Sequence, residues 1–223
     1  MESAQITACC DALTLSLGTP NVRRLKGMYQ SAARAGEKGI PVVLDPVGVT
    51  ASPARLEAAN RLISSGVVCV IRGNVSEIRV LAGENDNTHS LEAADTVLDA
   101  RAAARRLAKL TGAIVVMTGK TDVVTDGILL CTVDNGHEIL RSVTGAGCQL
   151  TALLGAFAAA NPERLFEACA AAVCMMGMCG EIAQRRMGSM EGNAACRGFI
   201  IDAAYRMTQN MLEEGANYAL ESG

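Results

Sequence analysis

The residues best suited to chemistry lie in one short segment, 143–148, which reads Val-Thr-Gly-Ala-Gly-Cys and precedes a long apolar run. This position predicts the start of a helix, where backbone N–H groups are unpaired and lie at the positive end of the helix dipole. Gly145 and Gly147 lack the Cβ atoms that would keep an anion away from these amides. The segment therefore favours a phosphate-binding loop.

Cys148 falls in the first turn of the predicted helix, where a thiol is expected to lose its proton more readily. It could accept a proton from a hydroxyl while phosphate charge develops on the amides. The alternative is a plain loop-to-helix junction with Cys148 as a packing residue, and the spacing leaves both open. A Walker A loop is excluded because Cys148 and Gln149, not Lys and Ser or Thr, follow the glycines. A dinucleotide fingerprint is excluded because its third glycine would fall at Leu150.

Polar side chains also follow three predicted strands. Asp45 ends one strand, and Thr118 follows another. Arg72, Asn74 and Glu77 follow the strand between them. The carboxyl ends of parallel strands face one crevice, where arginine can bind phosphate and carboxylates can hold Mg²⁺ with its waters. Any one of these residues could instead be a turn or cap residue, but their recurrence at three consecutive strand ends favours a nucleotide site with a metal.

The elements that position these residues alternate between strand and helix. The predicted strands are 12–17, 41–45, 67–71 and 113–117, and the predicted helices are 22–37, 53–64, 76–81 and 91–110. The continuous apolar strands are typical of a sheet that is buried on both faces. The order predicts an α/β fold with a mainly parallel central sheet and helices on both faces.

The pattern changes after residue 118. Segments 122–125 and 128–133 flank an Asp-Gly turn and predict a hairpin. Asn135-Gly136 predicts a second turn before a strand at 138–140, so that antiparallel strands extend one edge of the sheet. Only helices are predicted beyond Thr144, at about 147–160, 162–186 and 191–214. No linker or repeat is visible, so residues 1–223 are predicted to form a single domain.

Composition excludes several classes of protein. The chain has 223 residues, of which 50% are hydrophobic and 19% charged, so a packed core is expected instead of disorder. A net charge of −3 and an absence of Trp argue against a nucleic-acid partner. The most apolar run, 168–180, is too short to span a bilayer, and no signal peptide is visible. A cytoplasmic protein with no membrane partner is expected.

The cysteines do not form a recognisable framework. They number nine, and an odd count in a chain of this size argues against a set of disulfides. Cys169, Cys174 and Cys179 are spaced to lie around a helix instead of on one face. The histidines, His89 and His137, have no cysteine near them in sequence. Most cysteines are therefore predicted to be small buried apolar residues.

Four segments together resemble the hydroxyethylthiazole kinase family, ribokinase-like enzymes of thiamine salvage. They are 41–48 (PVVLDPVG), 71–78 (IRGNVSEI), 116–127 (VMTGKTDVVTDG) and 143–148 (VTGAGC). The Asn-x-x-Glu segment and the Gly-Ala-Gly loop mark the ribokinase-like group. Cys148, where that group has Asp, indicates the thiazole kinase branch. The resemblance runs from about Asp11 to the end of the chain, departs from the family pattern at 192–199, and gives that stretch no role.

The resemblance implies a three-layer α/β/α fold and a reaction in which the γ-phosphate of ATP passes to the primary alcohol of 4-methyl-5-(2-hydroxyethyl)thiazole. It implies that Arg72 and Thr118 contact ATP. It also implies that Asp45 and Glu77 arrange Mg²⁺, through waters.

For the acceptor, the resemblance implies that Gly145 lies against the thiazole alcohol, that Gly145 and Gly147 belong to a catalytic anion hole, and that Cys148 occupies the position of the base. It further implies a homotrimer with active sites shared between subunits. The chain opens, at 2–10, within what resembles the helix that follows the family's N-terminal segment, so that segment, with the first strand and helix of the fold, is expected to be missing. Two other hypotheses remain open: a kinase of another vitamin precursor, such as a hydroxymethylpyrimidine, and a nucleotide-binding subunit with impaired catalysis.

Overall fold

A seven-stranded sheet forms the centre of the computed structural model, which describes residues 2–84 and 93–222. The strands lie side by side in chain order: β1 (Leu13–Ser16), β2 (Val42–Asp45), β3 (Val68–Asn74), β4 (Ile114–Thr118), β5 (Asp122–Thr125), β6 (Leu129–Val133) and β7 (Tyr218–Ser222). The first four are parallel, and β5, β6 and β7 continue the sheet in antiparallel pairing.

Helices cover both faces of the sheet, as predicted. The helices are α1 (Glu2–Thr7), α2 (Val22–Lys38), α3 (Pro53–Ser64), α4 (Val75–Leu81), α5 (Ala93–Thr111), α6 (Ala146–Ala160), α7 (Leu165–Arg186), α8 (Asn193–Arg206) and α9 (Gln209–Gly215). Helices α2 to α5 bury their apolar sides against one face, and α6 to α8 bury theirs against the other. The start predicted for α5, at residue 91, lies outside the described residues.

Local sequence signals account for several helix ends. The side chain of Asn21 caps α2 by accepting a hydrogen bond from the N–H of Arg24 at 2.9 Å. Gly39 ends the same helix with a φ of 67°, a left-handed conformation that favours glycine. Ser52 caps α3, and Pro53 occupies its first turn, where no N–H is needed.

Strand register brings the polar strand ends to one edge of the sheet. Ser16 pairs with Asp45 between β1 and β2, and Asn74 pairs with Thr118 between β3 and β4. The strand β3 runs three residues beyond its predicted end, because Arg72, Gly73 and Asn74 continue the pairing with β4. Helix α6 begins beside this edge and packs along β1 and β2, so its first turn faces the strand ends.

The strand predicted at 138–140 is wrong. Residues Glu138–Arg141 form a 3₁₀ turn, which His137 caps by accepting a hydrogen bond from the N–H of Ile139 at 3.2 Å. The side chain of Leu140 packs so closely on α7 that a Cβ at Gly180 would lie 2.7 Å from it. This stretch therefore serves as packing under α7 and does not extend the sheet.

The prediction that only helices follow Thr144 is also wrong. The outer strand β7 pairs with β6 through partners such as Tyr218 and Val133, which are far apart in sequence. The helix predicted over 191–214 is two helices, since α8 ends at Arg206 and the side chain of Thr208 caps α9 through the N–H of Met211 at 3.3 Å.

The cysteine prediction holds for the core. Cys131, Cys169, Cys174, Cys179 and Cys196 are buried, whereas Cys9, Cys10 and Cys148 are exposed. Burial raises the pKa of the Cys169 thiol to about 12, so this thiol is inert at neutral pH.

One helix, spanning Pro162–Arg186, is long and apolar enough to cross a membrane, but 61% of its most apolar window is buried inside the protein. A core helix passes the same test of length and composition.

Candidate active site

The loop before α6 has the geometry that its glycines predict. Gly145 precedes the helix with a φ of 92°, in the left-handed region that favours glycine. The helix begins at Ala146 with no side-chain cap. The N–H of Ala146 donates to the carbonyl oxygen of Val143 at 3.2 Å, whereas those of Gly147 and Cys148 have no partner among the described residues and are left for a ligand. Cys148 lies in this first turn and is exposed. A reacting hydroxyl could therefore reach the thiol and the free amides together.

Arg72 lies directly on this loop. A Cβ at position 147 would come within 2.6 Å of one terminal nitrogen of the guanidinium and within 3.1 Å of its central carbon, so only glycine fits at Gly147 without moving Arg72. The side chain of Arg72 is 15% exposed. A positive charge and the amino end of α6 therefore meet at the same spot, which is a combination suited to phosphate.

The hydrogen-bonding capacity of Arg72 is only partly used. One terminal nitrogen lies 3.5 Å from Oδ1 of Asp45, and the other lies 3.3 Å from Oγ1 of Thr118. Its Nε is buried and has no hydrogen-bond partner. A buried donor without a partner is costly, so the arrangement fits a site that is completed by an anionic ligand.

Asp45 is buried at the end of β2 and is only 1% exposed. Burial raises the pKa of Asp45, the nearby Arg72 opposes this rise, and the charge of Glu77 adds to it. Among the described residues, the carboxylate oxygens of Asp45 make only long contacts, at 3.5 Å to Arg72 and 3.4 Å to Thr151. The carboxylate therefore has unused lone pairs in a cleft that already contains a second acid.

Glu77 has the cap role that was left open for it, and a second structural contact that the sequence did not indicate. One of its oxygens accepts a hydrogen bond from the N–H of Asn74 at 2.9 Å, which forms half of a capping box at the start of α4. The other accepts one from the N–H of Gly48 at 3.0 Å. Glu77 thus ties the loop after β2 to the end of β3, and places its negative charge near Asp45.

The two carboxylates fit a Mg²⁺ ion that is held mostly through water and phosphate. Mg²⁺ in nucleotide sites keeps several waters and binds through one or two carboxylates. Across residues 2–84 and 93–222, no group of three or more His, Cys, Asp and Glu side chains could hold a metal ion. The pair of Asp45 and Glu77 therefore suits outer contacts to a nucleotide-bound ion better than a closed cage.

Asp122 is a site residue that the sequence analysis gave no role. It opens β5 and accepts a hydrogen bond from the N–H of Gly119 at 2.9 Å, which closes the turn after Thr118. Burial raises its pKa to about 6, although Arg72 lowers it, and the charge of Asp134 raises it further. The spacing Gly119-x-x-Asp122 between two predicted strands was the available signal for this contact.

Of the predicted site residues, the structure joins Arg72 to Asp45, Thr118 and Gly147 through direct contacts. Glu77 is linked to this group only through backbone amides, and no direct contact joins the exposed Cys148 to it among the described residues. A side chain from α6 that the sequence analysis did not single out also reaches the cluster, since the hydroxyl of Thr151 lies beside Asp45.

Comparison with known proteins identifies relatives of this chain. Its sequence matches the model of the hydroxyethylthiazole kinase family over residues 1–210. It is 41% identical over 218 residues to hydroxyethylthiazole kinase from Ruminiclostridium cellulolyticum, with 96% of this chain and 79% of that protein covered. It is 43% identical over 215 residues to hydroxyethylthiazole kinase from Cereibacter sphaeroides, with 96% and 80% covered.

Solved structures agree with the sequence relatives. A hydroxyethylthiazole kinase protein from Pyrococcus horikoshii superposes with a TM-score of 0.87 at 29% identity, covering 99% of this chain and 81% of that one. A pyridoxal kinase from Staphylococcus aureus, solved with AMP-PCP and pyridoxal, superposes with a TM-score of 0.66 at 20% identity, covering 99% and 76%, and shows the fold alone. The predicted ribokinase-like three-layer fold is confirmed, and the chain belongs to the hydroxyethylthiazole kinase family.

Proposed function

We propose that this protein transfers the γ-phosphoryl group of ATP to the primary alcohol of 4-methyl-5-(2-hydroxyethyl)thiazole, as a kinase of thiamine salvage. The observation that carries the proposal is the placement of Arg72, a partly buried cation whose buried Nε has no partner, directly on Gly147 at the open amino end of α6. Membership of the family supplies the acceptor class.

The phosphates of ATP are proposed to bind between Arg72, Thr118 and the amides that follow Gly145. The guanidinium offers donors in a fixed fork that matches phosphate oxygens. The Thr118 hydroxyl is 3.3 Å from Arg72 and 3.3 Å from the carbonyl oxygen of Gly73. This hydroxyl is therefore held at the edge of the cleft, where it can turn to a phosphate.

The acceptor alcohol is proposed to lie against Gly145, within reach of Cys148. Phosphoryl transfer depends mainly on positioning and on the stabilisation of charge at the transferred group. The amides of the first turn of α6 would receive that charge, and the Cys148 side chain would take the proton of the alcohol. A weak base suffices there, because the proton leaves late in a loose transition state.

The metal is proposed to be Mg²⁺, arranged by Asp45 and Glu77. When bound, the ion would neutralise charge on the β- and γ-phosphates. Asp45 supplies the less engaged oxygens, while Glu77 supplies charge and holds the loop after β2 in place.

A homotrimer in the cytoplasm is proposed for the assembled protein. Apolar side chains stand exposed on α8 and in the loop before it, with Ile201 at 54%, Tyr205 at 90% and Met190 at 96% exposure. Exposed apolar groups close together favour an interface with another chain.

The proposed activity is tested by measuring ADP release from MgATP with an acceptor panel of the thiazole alcohol, hydroxymethylpyrimidine and pyridoxal. We expect turnover with the thiazole alcohol to exceed that with the other two. Arg72→Gln should abolish turnover, whereas the control Arg34→Gln, which alters an exposed arginine paired with Glu37, should not. Preference for another acceptor would correct the substrate, and ATP binding without turnover on any acceptor would contradict the proposal.

A further inference from the structure

We infer that Thr151 is a positioning residue that couples the phosphate loop of α6 to the metal-side carboxylate Asp45. The inference rests on the proposed function for its consequence, but its contacts are independent of it. Thr151 lies one turn beyond Gly147 and is 4% exposed.

The hydroxyl of Thr151 has two acceptors within reach. Its Oγ1 lies 3.0 Å from the carbonyl oxygen of Gly147 and 3.4 Å from Oδ2 of Asp45. A hydroxyl carries a single proton, so the side chain either shares it or alternates between the loop and the carboxylate.

These contacts close a ring of four residues. Thr151 touches Asp45, Asp45 touches Arg72 through its other oxygen, and Arg72 rests on Gly147, whose carbonyl returns to Thr151. The two carboxylate oxygens of Asp45 thus have different neighbours. The Thr151 hydroxyl bears on Oδ2, the oxygen that Arg72 does not contact, so its loss would leave the turn of the carboxylate plane to the 3.5 Å contact with Arg72 alone.

A purely structural threonine in a helix needs no such second contact. Thr7 in α1 is equally buried, at 3% exposure, and within residues 2–84 and 93–222 its hydroxyl donates only to the carbonyl oxygen of Ser3, at 2.8 Å. The hydroxyl of Thr151 makes the same kind of hydrogen bond, to the carbonyl oxygen four residues earlier, and it also contacts Asp45 on β2. The second contact indicates a role in placing Asp45.

Loss of this hydroxyl should weaken the binding of MgATP specifically. Side chains that orient a metal-side carboxylate typically change metal affinity by 10–100-fold when removed, so Thr151→Val should raise the dissociation constant and KM for MgATP by roughly tenfold or more. Metal-free ATP should bind within about twofold of the parent, since it depends on Arg72 and the loop.

Titration calorimetry with ATP, with and without Mg²⁺, tests this together with the kinetic constants and the melting temperature. Thr151→Ser keeps the hydroxyl and should restore MgATP binding to within about twofold of the parent. Thr7→Val is the control for loss of a buried helical hydroxyl, and it should lower stability without changing nucleotide affinity. Thr151→Ala is the second variant if the valine protein does not fold.

The inference is overturned if Thr151→Val and Thr151→Ala bind MgATP as the parent does, or if Thr151→Ser is as impaired as the valine variant. A parent that binds MgATP but does not phosphorylate the thiazole alcohol would refute the proposed function. The Thr151 comparison would still be decided by calorimetry.

Discussion

Cys148 combines exposure with a place in the first turn of α6, beside amides that no protein side chain caps. The buried cysteines of this protein have no comparable surroundings, and for Cys169 burial raises the pKa to about 12. Exposure at a helix start is what allows a thiol to meet a substrate hydroxyl. We propose that this placement gives Cys148 a role that packing does not explain.

Cys148→Ala should therefore lower kcat with little change in KM for ATP, by roughly tenfold to a hundredfold, near the lower end of what a general base contributes. Cys148→Asp should retain or increase kcat, because a carboxylate in the same turn is a base that needs no prior ionisation at neutral pH. Steady-state kinetics with the thiazole alcohol measures both. Equal turnover by Cys148→Ala and the parent would remove Cys148 from the mechanism.

Asp122 stabilises the turn after Thr118 through its hydrogen bond, but its buried negative charge lowers the stability of the folded protein. Its pKa is about 6 in the folded protein against 3.8 for an ordinary aspartate, because burial disfavours the ionised form. Between these pH values the folded protein holds more protons than the unfolded chain. The free energy of unfolding therefore falls as pH rises from about 4 to about 6, and the loss persists above that window.

Asp122→Asn should remove this loss while keeping an oxygen for the N–H of Gly119. We expect the free energy of unfolding of the variant to exceed that of the parent by about 1–2 kcal/mol at pH 7.5. This value is smaller than the full pKa shift would give, because Asp122 is partly exposed to solvent. The gain should shrink to nothing near pH 4. Chemical denaturation at several pH values measures it, and a gain that is independent of pH would show that the charge of Asp122 is not its source.

Among the elements, α6 positions the candidate site, because its first turn meets the edge of the sheet at which the parallel strands end. This first turn faces the ends of β2 and β3. Further along, α6 approaches β1 closely at Gly155, where a Cβ would lie 2.9 Å from the Thr14 side chain, and the absence of that Cβ lets the helix lie flat on the sheet. The loop around Gly147 is thereby pressed against Arg72. Nucleotide binding should be sensitive to any atom added between them.

Gly147→Ala places a methyl group 2.6 Å from the nearest guanidinium nitrogen of Arg72, so the arginine must move. We expect ATP affinity to fall roughly tenfold, in line with the 1–3 kcal/mol typical of overpacking. The control is Gly27→Ala in α2, where the nearest atom is the Ser3 hydroxyl oxygen at 3.5 Å and the helix should gain about 0.5–1 kcal/mol. Unchanged ATP binding by Gly147→Ala in calorimetry would separate Arg72 from the phosphate site.

The elements that were predicted correctly are those whose sequence signals lie in or next to the element itself. Helix α3 was predicted with the observed bounds, because Ser52 and Pro53 mark its start in adjacent residues. The helical region near the end of the chain was predicted as one element, although Thr208 was an available capping signal. Strand β7 depends on pairing with β6, which lies about 90 residues earlier, and periodicity within one segment does not report such a contact.

The sequence predicted which residues lie at the candidate site better than it predicted the contacts that they make. Strand-end residues could be predicted to converge because parallel strands share an edge. The spacing Asn74-x-x-Glu77 is that of a capping box, but nothing in the sequence showed that the other oxygen of Glu77 is taken by the amide of Gly48. The contact of Thr151 with Asp45 likewise depends on how α6 packs on β2, which is a tertiary property.

At the scale of the whole molecule, the exposed apolar side chains of α8 make assembly testable. A trimer should have a mass of about 70 kDa, three times the 23.2 kDa of one chain. Tyr205→Glu should lower the mass measured by light scattering and reduce turnover, since the proposed sites are shared. Val22→Glu changes an equally exposed apolar residue on α2 and should leave both unchanged, and a monomeric parent would contradict the trimer.

Transfer of the phosphoryl group to the thiazole alcohol can be followed by ³¹P NMR of the complete reaction. With ATP, Mg²⁺ and 4-methyl-5-(2-hydroxyethyl)thiazole, we expect a phosphate monoester signal coupled to the hydroxyethyl methylene protons, formed in equal amount to ADP. Inorganic phosphate formed in place of the monoester, or no loss of ATP at all, would contradict it.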